Sequence, residues 1–315
     1  MGPNTETPVQ EVWFPESNII IKRQWRNLKE GTISVVLFCA AFCSIFITLG
    51  IIGILIFESI PFFKAVPLKE FLTDTQWTPL FAQAHYGIWP LISGTLVTTS
   101  VALCVALPLG TAIAIYLSEY AGGRFRETIK PVLELLSAVP TVVYGYFALL
   151  FVTPLLQGIM PSLSGFNMLS AGLVMGIMII PYVSSLCEDA MRAVPMSLRE
   201  GSYAMGATRL QTSLRVIFPA AFSGITAAYI LAISRAVGET MIVAIAAGMQ
   251  ARLTWNPLEP AETITAYIVQ VSLGDLPHGS IGYQTIFVAG LTLFLITFLF
   301  NMVGYFLKRR YREVY

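Results

Sequence analysis

The chain has 315 residues, of which 56% are hydrophobic and 12% charged, and its net charge is +1. This composition lies far outside that of a soluble domain and indicates a polytopic membrane protein. It also argues against a nucleic-acid binder, which needs a face of Lys and Arg, because most charges here lie at the ends of apolar runs.

Residues 1–32 read as a cytoplasmic tail with no secretory signal pattern, since the first twenty residues hold three glutamates and no apolar core of sufficient length. Val12-Trp13-Phe14 and Ile19-Ile20-Ile21, beside Lys22, Arg23, Trp25, Arg26 and Lys29, suit a surface anchor as well as a loose tail. Six apolar segments are long enough to span a bilayer, which takes about 20 residues: 33–57, 91–118, 131–156, 168–187, 220–248 and 284–307. The expected organisation is a first span with a long periplasmic loop over 33–90, a five-helix core over 91–307, and a basic cytoplasmic tail over 308–315. Cys39, Cys43 and Cys104 lie inside apolar runs and Cys187 ends one, so they read as small apolar packers rather than a disulfide framework.

Positive charge falls on alternate connections. Lys22, Arg23, Arg26 and Lys29 precede the first span, Arg124, Arg126 and Lys130 follow the second, Arg192, Arg199, Arg209 and Arg215 follow the fourth, and Lys308, Arg309, Arg310 and Arg312 follow the sixth. The other connections hold only Lys64, Lys69 and Arg252, so both termini and the loop around residue 200 are expected in the cytoplasm. The outward loops, 58–90, 157–167 and 249–283, are rich in proline turns and long enough to meet a partner. Pro108, Pro140 and Pro181 fall inside spans and predict kinks, because proline removes a backbone hydrogen bond. Gly172 and Gly176 share one face of the fourth span, as close helix packing requires.

Between the fourth and fifth spans lies a polar interruption, EGSYAMGATRLQTSLRVIFP, from Glu200 to Pro219. Leu198, Ala204, Ala207, Leu210, Leu214 and Ile217 recur at near-helical spacing, with Arg199, Glu200, Arg209, Gln211 and Arg215 between them, so the segment can form an amphipathic helix. Gly206 is unfavourable inside a helix by about 1 kcal/mol relative to Ala and marks a bend between two short ones. The spacing of Glu200, Gly201, Ser202, Gly206 and Val216-Ile217-Phe218-Pro219 resembles the EAA loop of binding-protein-dependent ABC importer permeases. Gly201 and Phe218 replace the usual Ala and Leu. The resemblance implies that the 197–219 segment is a coupling helix docking into a cytoplasmic ATPase through Glu200, Gly201, Ser202, Ala204, Gly206, Ala207, Phe218 and Pro219.

No phosphate-binding Walker loop is present, because none of the lysines is preceded by glycine. Energy must come from another subunit or an ion gradient. His85 and His278 are distant in sequence and suggest no metal site, and no nucleophile elbow, zincin motif or carboxylate pair supports an enzyme. The costly feature is Arg235, central in the apolar run 222–248, where a charge costs at least about 2.5 to 3.5 kcal/mol. Glu239, four residues on, is expected on the same helical face, either as a neutralising ion pair or as the partner of a guanidinium that holds an oxyanion. In the third span Glu134, Ser137, Thr141 and Tyr144 fall within about 80° of arc, a polar stripe that suits either a pathway wall or packing hydrogen bonds.

LLSAVPTVVYGYFAL (135–149) and SRAVGETMIV (234–243) resemble signature stretches of the PstC-type permeases of phosphate ABC importers, and the similarity runs from about Gly94 to the C-terminus. Met241 stands where the sister PstA-type permeases usually continue with Ala-Pro. The resemblance implies an all-α, six-span type I ABC importer permease in a bacterial inner membrane, with Arg235, Glu239, Thr240, Glu134, Ser137, Thr141 and Tyr144 along the phosphate pathway. It implies a PstA-type second permease, a PstB-type ATPase dimer that binds ATP and Mg, and a PstS-type periplasmic phosphate-binding protein, with no cofactor in this chain itself. A sulfate or molybdate permease and an ion-coupled secondary transporter are the alternatives.

Overall fold

A computed structural model describes residues 16–310. Residues 12–15 of the N-terminal anchor segment, the side chains up to residue 28 and residues 311–315 of the tail lie outside the described residues. The chain divides into two compact units at Ile54. The first holds most of helix α1 (Glu16–Ala65), which carries Phe38, Phe42 and Phe46 one turn apart with ring centroids 6.5 and 6.3 Å apart. These rings are exposed and suit a lipid-facing surface.

The second unit is also helical, with a single isolated antiparallel bridge, Trp77 to Tyr86, as its only extended pairing among the described residues. In chain order it contains the end of α1, α2 (Leu68–Thr73), α3 (Trp89–Ile115), α4 (Gly123–Ala138), α5 (Thr141–Phe147), α6 (Thr153–Ile159), α7 (Met168–Arg192), α8 (Met196–Ala204), α9 (Arg209–Thr212), α10 (Phe218–Ala220), α11 (Phe222–Val237), α12 (Met241–Ala246), α13 (Ile264–Ser272) and α14 (Ile281–Arg310). Single π turns extend α3 over Tyr116–Tyr120, join α5 to α6, and join α9 to α10. Among the described residues five helical stretches are long and apolar enough to cross a membrane; a sixth is formed if α9–α10 and α11, bent by 74° where they meet, count as one.

The core lies between α3 and α7. A Cβ on Gly172 would stand 2.7 Å from the Val101 side chain, and one on Gly176 would stand 2.8 Å from the Ala102 carbonyl oxygen, so only glycine permits this approach. Met175, Met178, Ile179 and Val183 of α7 and Ile225, Ala228 and Ala232 of α11 complete a dry cluster. A second cluster, Phe62, Phe71, Trp77, Ile88, Leu91, Tyr267 and Val288, ties the loops of the opposite end to α3, α13 and α14. All four cysteines are free thiols.

Three expectations change. Pro108 and Pro181 sit inside continuous helices, and only Pro140 coincides with a break. There Val139 is extended, the conformation a following proline favours, so the expected 131–156 span is two helices and crosses only from Thr141. The expected 220–248 span likewise ends at Val237, is interrupted at 238–240, and resumes as the short α12.

Candidate functional site: the α11–α12 break and the α8–α9 hairpin

Arg235 occupies the last turn of α11, and Gly238 ends that helix. Because the helix stops between them, Arg235 and Glu239 do not share the helical face that the sequence predicts, and of the two alternatives left open there the neutralising ion pair is not formed. The Glu239 carboxylate instead accepts hydrogen bonds from the backbone N–H groups of Met241 (3.1 Å) and Ile242 (3.5 Å), capping α12 where its N-terminal amides have no other partner. Its backbone carbonyl accepts a 2.7 Å bond from the Thr265 hydroxyl, and Thr240 donates to the Gly238 carbonyl at 3.2 Å.

Arg235 is exposed, with its guanidinium 5.6 Å from the centroid of the Tyr182 ring on α7. Among the described residues no carboxylate lies within ion-pair distance of it. The cation–π contact offsets part of the cost of the charge and leaves its N–H fork open to an acceptor. Tyr182 escaped the sequence reading because one aromatic beside Pro181 in an apolar run carries no distinguishing signal.

The expected polar stripe is divided by the Pro140 break. Thr141 and Tyr144 lie on α5, which packs on α12, where a Cβ on Gly145 would meet Ile245 at 2.9 Å. Glu134 and Ser137 lie exposed on α4, where the Ser137 hydroxyl bonds the Glu134 carbonyl. The Tyr144 hydroxyl reaches back across the break to the Leu136 carbonyl at 2.6 Å. A continuous helix would have aligned the four; the extended Val139–Pro140 pair places them on two elements.

The interruption at Glu200–Pro219 is a helical hairpin. Gly206 has φ +81° with open space around it, the Gly206 N–H bonds the Tyr203 carbonyl, and the Ala207 N–H bonds that of Ser202, a Schellman turn that closes α8. Thr208 and Gln211 form a reciprocal capping box at the start of α9, and the Ser202 and Thr212 hydroxyls meet at 2.9 Å across the two arms. Arg199, expected on the polar face, is buried. Its Nη2 bonds Glu119 Oε1 at 3.1 Å and the Met191 carbonyl at 2.8 Å, and its Nη1 bonds the Val194 carbonyl at 2.6 Å. It therefore caps the end of α7 and pins the hairpin to the π turn that ends α3. Met205, Leu210 and Leu214 are exposed on the hairpin, beside the exposed Arg209, Gln211 and Arg215. Glu200, Gly201, Ala204 and Pro219 are exposed with them, while Ser202, Ala207 and Phe218 are half-buried.

Behind the hairpin, Glu188 of α7 is fully buried and meets Lys130 at 2.6 Å, Arg192 at 3.6 Å and Arg126 at 4.0 Å, while Lys130 also meets Asp189 at 2.7 Å. Burial alone would lower the Lys130 pKa, but the hydrogen bonds that its ammonium donates to Asp189 and Glu188 outweigh it and hold the pKa above its usual range. The cluster locks α4 to α7.

Residues 106–313 match the family of binding-protein-dependent transport system inner membrane components. The chain belongs to that family. It is 36% identical over 298 residues to the probable ABC transporter permease protein YqgH of Bacillus subtilis, spanning 93% of this chain and 95% of that one. It is 30% identical over 314 residues to the probable phosphate transport system permease protein PstC of Methanocaldococcus jannaschii, spanning 93% and 97%. The phosphate transport system permease protein PstC of Mesorhizobium japonicum is 33% identical over 265 residues, 76% of this chain and 78% of that one. Among solved structures, a bacterial ABC transporter involved in alginate import aligns with TM-score 0.62 at 15% identity over 92% of this chain and 100% of that one. The MetNI methionine transporter aligns with TM-score 0.52 at 19% identity over 72% and 95%. The fold is that of an ABC importer permease, and the chain is a multi-pass membrane subunit of this family.

Proposed function

We propose that this chain is the PstC-type permease subunit of a phosphate importer, placed in the inner membrane with both termini and the α8–α9 hairpin in the cytoplasm. The similarity to permeases named for phosphate transport along most of their length is the observation that carries this reading. The free guanidinium of Arg235 supports it: a planar, permanently charged fork without a carboxylate partner suits hydrogen bonds to a phosphate oxyanion. Arg235, Glu239 and Thr240 at the break, with Thr141 and Tyr144 on the neighbouring α5, form the pathway wall. Glu134 and Ser137 lie toward its cytoplasmic end.

The hairpin is the contact with a PstB-type ATPase dimer. Its exposed Met205, Leu210 and Leu214 supply the apolar docking surface that such a contact needs, and Glu200, Gly201, Ser202, Ala204, Gly206, Ala207, Phe218 and Pro219 set its shape. ATP and Mg are bound by that subunit. Because Arg199 ties the hairpin to Glu119 at the end of α3, a displacement of the hairpin is passed directly to a membrane-crossing helix. A PstA-type permease completes the pathway, and a PstS-type binding protein delivers phosphate from the periplasm. The test is radiolabelled phosphate uptake with purification from native membranes. The reading expects a co-purifying Walker-motif ATPase and uptake lost in Arg235→Gln with the complex intact; an active lone chain would overturn it.

A further inference from the structure

At the end of the second unit opposite the hairpin, a cavity of about 330 Å³ opens between the loop carrying Trp77 and Phe81, the loop carrying Gln250 and Glu262, and α13 with Tyr267 and Gln270. We propose that this cavity seats one lysine or arginine side chain of the protein that delivers substrate to this face. This rests on the importer reading above, which puts that face in the periplasm.

Among the described residues three buried side-chain polar atoms make no hydrogen bond; Glu188 Oε1 lies beside Arg192 and Arg126, and the other two, Glu262 Oε1 and Trp77 Nε1, belong to residues of this one wall. Glu262 is 3% exposed and is the only charged side chain lining the cavity. Among the described residues no Lys, Arg or His lies within ion-pair distance of it. A carboxylate is rarely kept this deep without a cation, since burying the charge alone is costly. Burial pushes its pKa up to about 8, and an arriving cation reverses that by stabilising the ionised form. Tyr267 is the only other titratable group on the cavity wall, and α3, which packs against residues 262–264 through Gly94 and Thr95, brings none.

The rest of the wall selects the form of the cation. Trp77 and Tyr267 stand edge to face with centroids 5.1 Å apart, and Phe81 lies beside them, so a hydrocarbon stem finds apolar packing and its charged end finds aromatic faces. The amide oxygens of Gln250 and Gln270 offer further acceptors for N–H groups. The volume is at the low end for ligand pockets, about 300 to 1,000 Å³, and matches one side chain rather than a folded segment.

Occupancy also has a route inward. The Ile264 N–H bonds Thr95 of α3 at 3.0 Å, and the Thr265 hydroxyl bonds the Glu239 carbonyl at 2.7 Å. Only Thr263 and Ile264 therefore separate the residue whose carboxyl meets the basic side chain from Thr265, which holds the α11–α12 break.

The experiment titrates purified phosphate-loaded binding protein onto the complete importer in lipid nanodiscs and reads stimulated ATP hydrolysis. Glu262→Gln, nearly the same shape, should raise the half-saturating concentration by about tenfold or more while hydrolysis without binding protein is unchanged. In the wild type, n-butylammonium chloride should compete with the binding protein more strongly than sodium chloride at equal ionic strength, and Glu262→Gln should abolish that difference. Equal titrations for wild type and variant would overturn the assignment while leaving the importer reading intact; a wild-type complex that answers no binding protein would overturn the importer reading itself. The competition arm needs no variant, so absence of any butylammonium effect beyond sodium also overturns the assignment. A butylammonium signal that leaves docking unaffected would do so too, making the cavity a small-amine site.

Discussion

Along the α3–α7 seam the backbones touch, with glycine wherever a methyl group would collide, and both helices run uninterrupted through a proline. Between α11 and α12 the chain leaves the helix within a few residues of a charge, and side chains meet several of its backbone groups: Glu239 on two amides, Thr265 and Thr240 each on a carbonyl. The two regions solve the same problem, since backbone polar groups in lipid must be satisfied internally. In the seam the helix itself satisfies them and hydroxyls assist, as Thr111 does on the Leu107 carbonyl below Pro108. At the break side chains do so, which leaves polar groups free to face a substrate. A rigid seam beside a polar interruption is the arrangement expected of a pathway that changes shape against a fixed frame.

The seam can be broken by volume. Gly176→Leu would drive a side chain into the Ala102 backbone, a site that cannot yield like the end of a flexible side chain. Overpacking typically costs about 1 to 3 kcal/mol per site and more against backbone. The chain should largely vanish from membranes, as measured by immunoblot of the assembled complex, with Gly172→Ala milder. Normal accumulation of Gly176→Leu would mean that the seam is not the frame.

The break should respond in transport rather than assembly. Arg235→Gln is expected to lower phosphate uptake per assembled complex about a hundredfold, near 3 kcal/mol, and Arg235→Lys about tenfold, because lysine keeps the charge but loses the fork. Because Arg235 and Glu239 are not paired, Glu239→Gln should neither rescue Arg235→Gln nor depend on it; the two losses should add. Rescue in the double variant would restore the ion pair and remove Arg235 from the pathway.

This contrast was half visible in the sequence. Hydropathy placed the spans, glycine spacing on α7 marked the seam, and Gly206 marked the hairpin bend, because each signal is local. The break was hidden because 222–248 is apolar throughout apart from Arg235 and Glu239, and a helical period assigned them one face. What separates them is the stop at Gly238 and the local cap that Glu239 places on the amides of Met241 and Ile242, held by one tertiary bond from Thr265 to the Glu239 carbonyl. Arg199 and Glu188 were missed likewise: their partners Glu119 and Lys130 lie 80 and 58 residues away, beyond any periodicity.

Proton concentration gives a smaller lever that should act on one region and spare the other. Burial holds Glu262 protonated up to about pH 8, against an ordinary value of 4.5, so the native state binds more protons than the unfolded chain in that window. Its contribution to stability is complete below about pH 4.5 and is lost as pH rises through 8. Since residues 262–265 hold the Glu239 carbonyl, raising pH from 6 to 9 should increase amide exchange, corrected for its intrinsic rate, about tenfold over 239–247 and 262–267, and leave α3 and α7 unchanged. Glu262→Gln should remove the pH dependence. Uniform exchange changes in both regions would mean that the break is not a separately yielding unit.

The smallest effect belongs to the hairpin, which joins the fixed frame to the ATPase. Gly206 sits at φ +81° with no atom within 4 Å of where a Cβ would stand, so a side chain there meets conformational strain and no collision. Gly206→Ala should cost about 1 kcal/mol, and Gly206→Asn less, since asparagine tolerates the left-handed region. That loss falls on the Schellman turn and leaves the frame alone, because Arg199 anchors α8 to Glu119 before the turn begins and the Ser202–Thr212 bond ties the arms beyond it. Both variants should therefore assemble fully, while ATP hydrolysed per phosphate imported rises modestly for Ala and hardly for Asn. Gly206→Leu adds a bulky apolar group to the surface already formed by Met205 and Leu210, and should raise the ratio further with assembly still intact. If all three variants keep the wild-type ratio, the hairpin is a connector. If Ala and Asn are equal while Leu is impaired, its surface rather than its bend meets the ATPase.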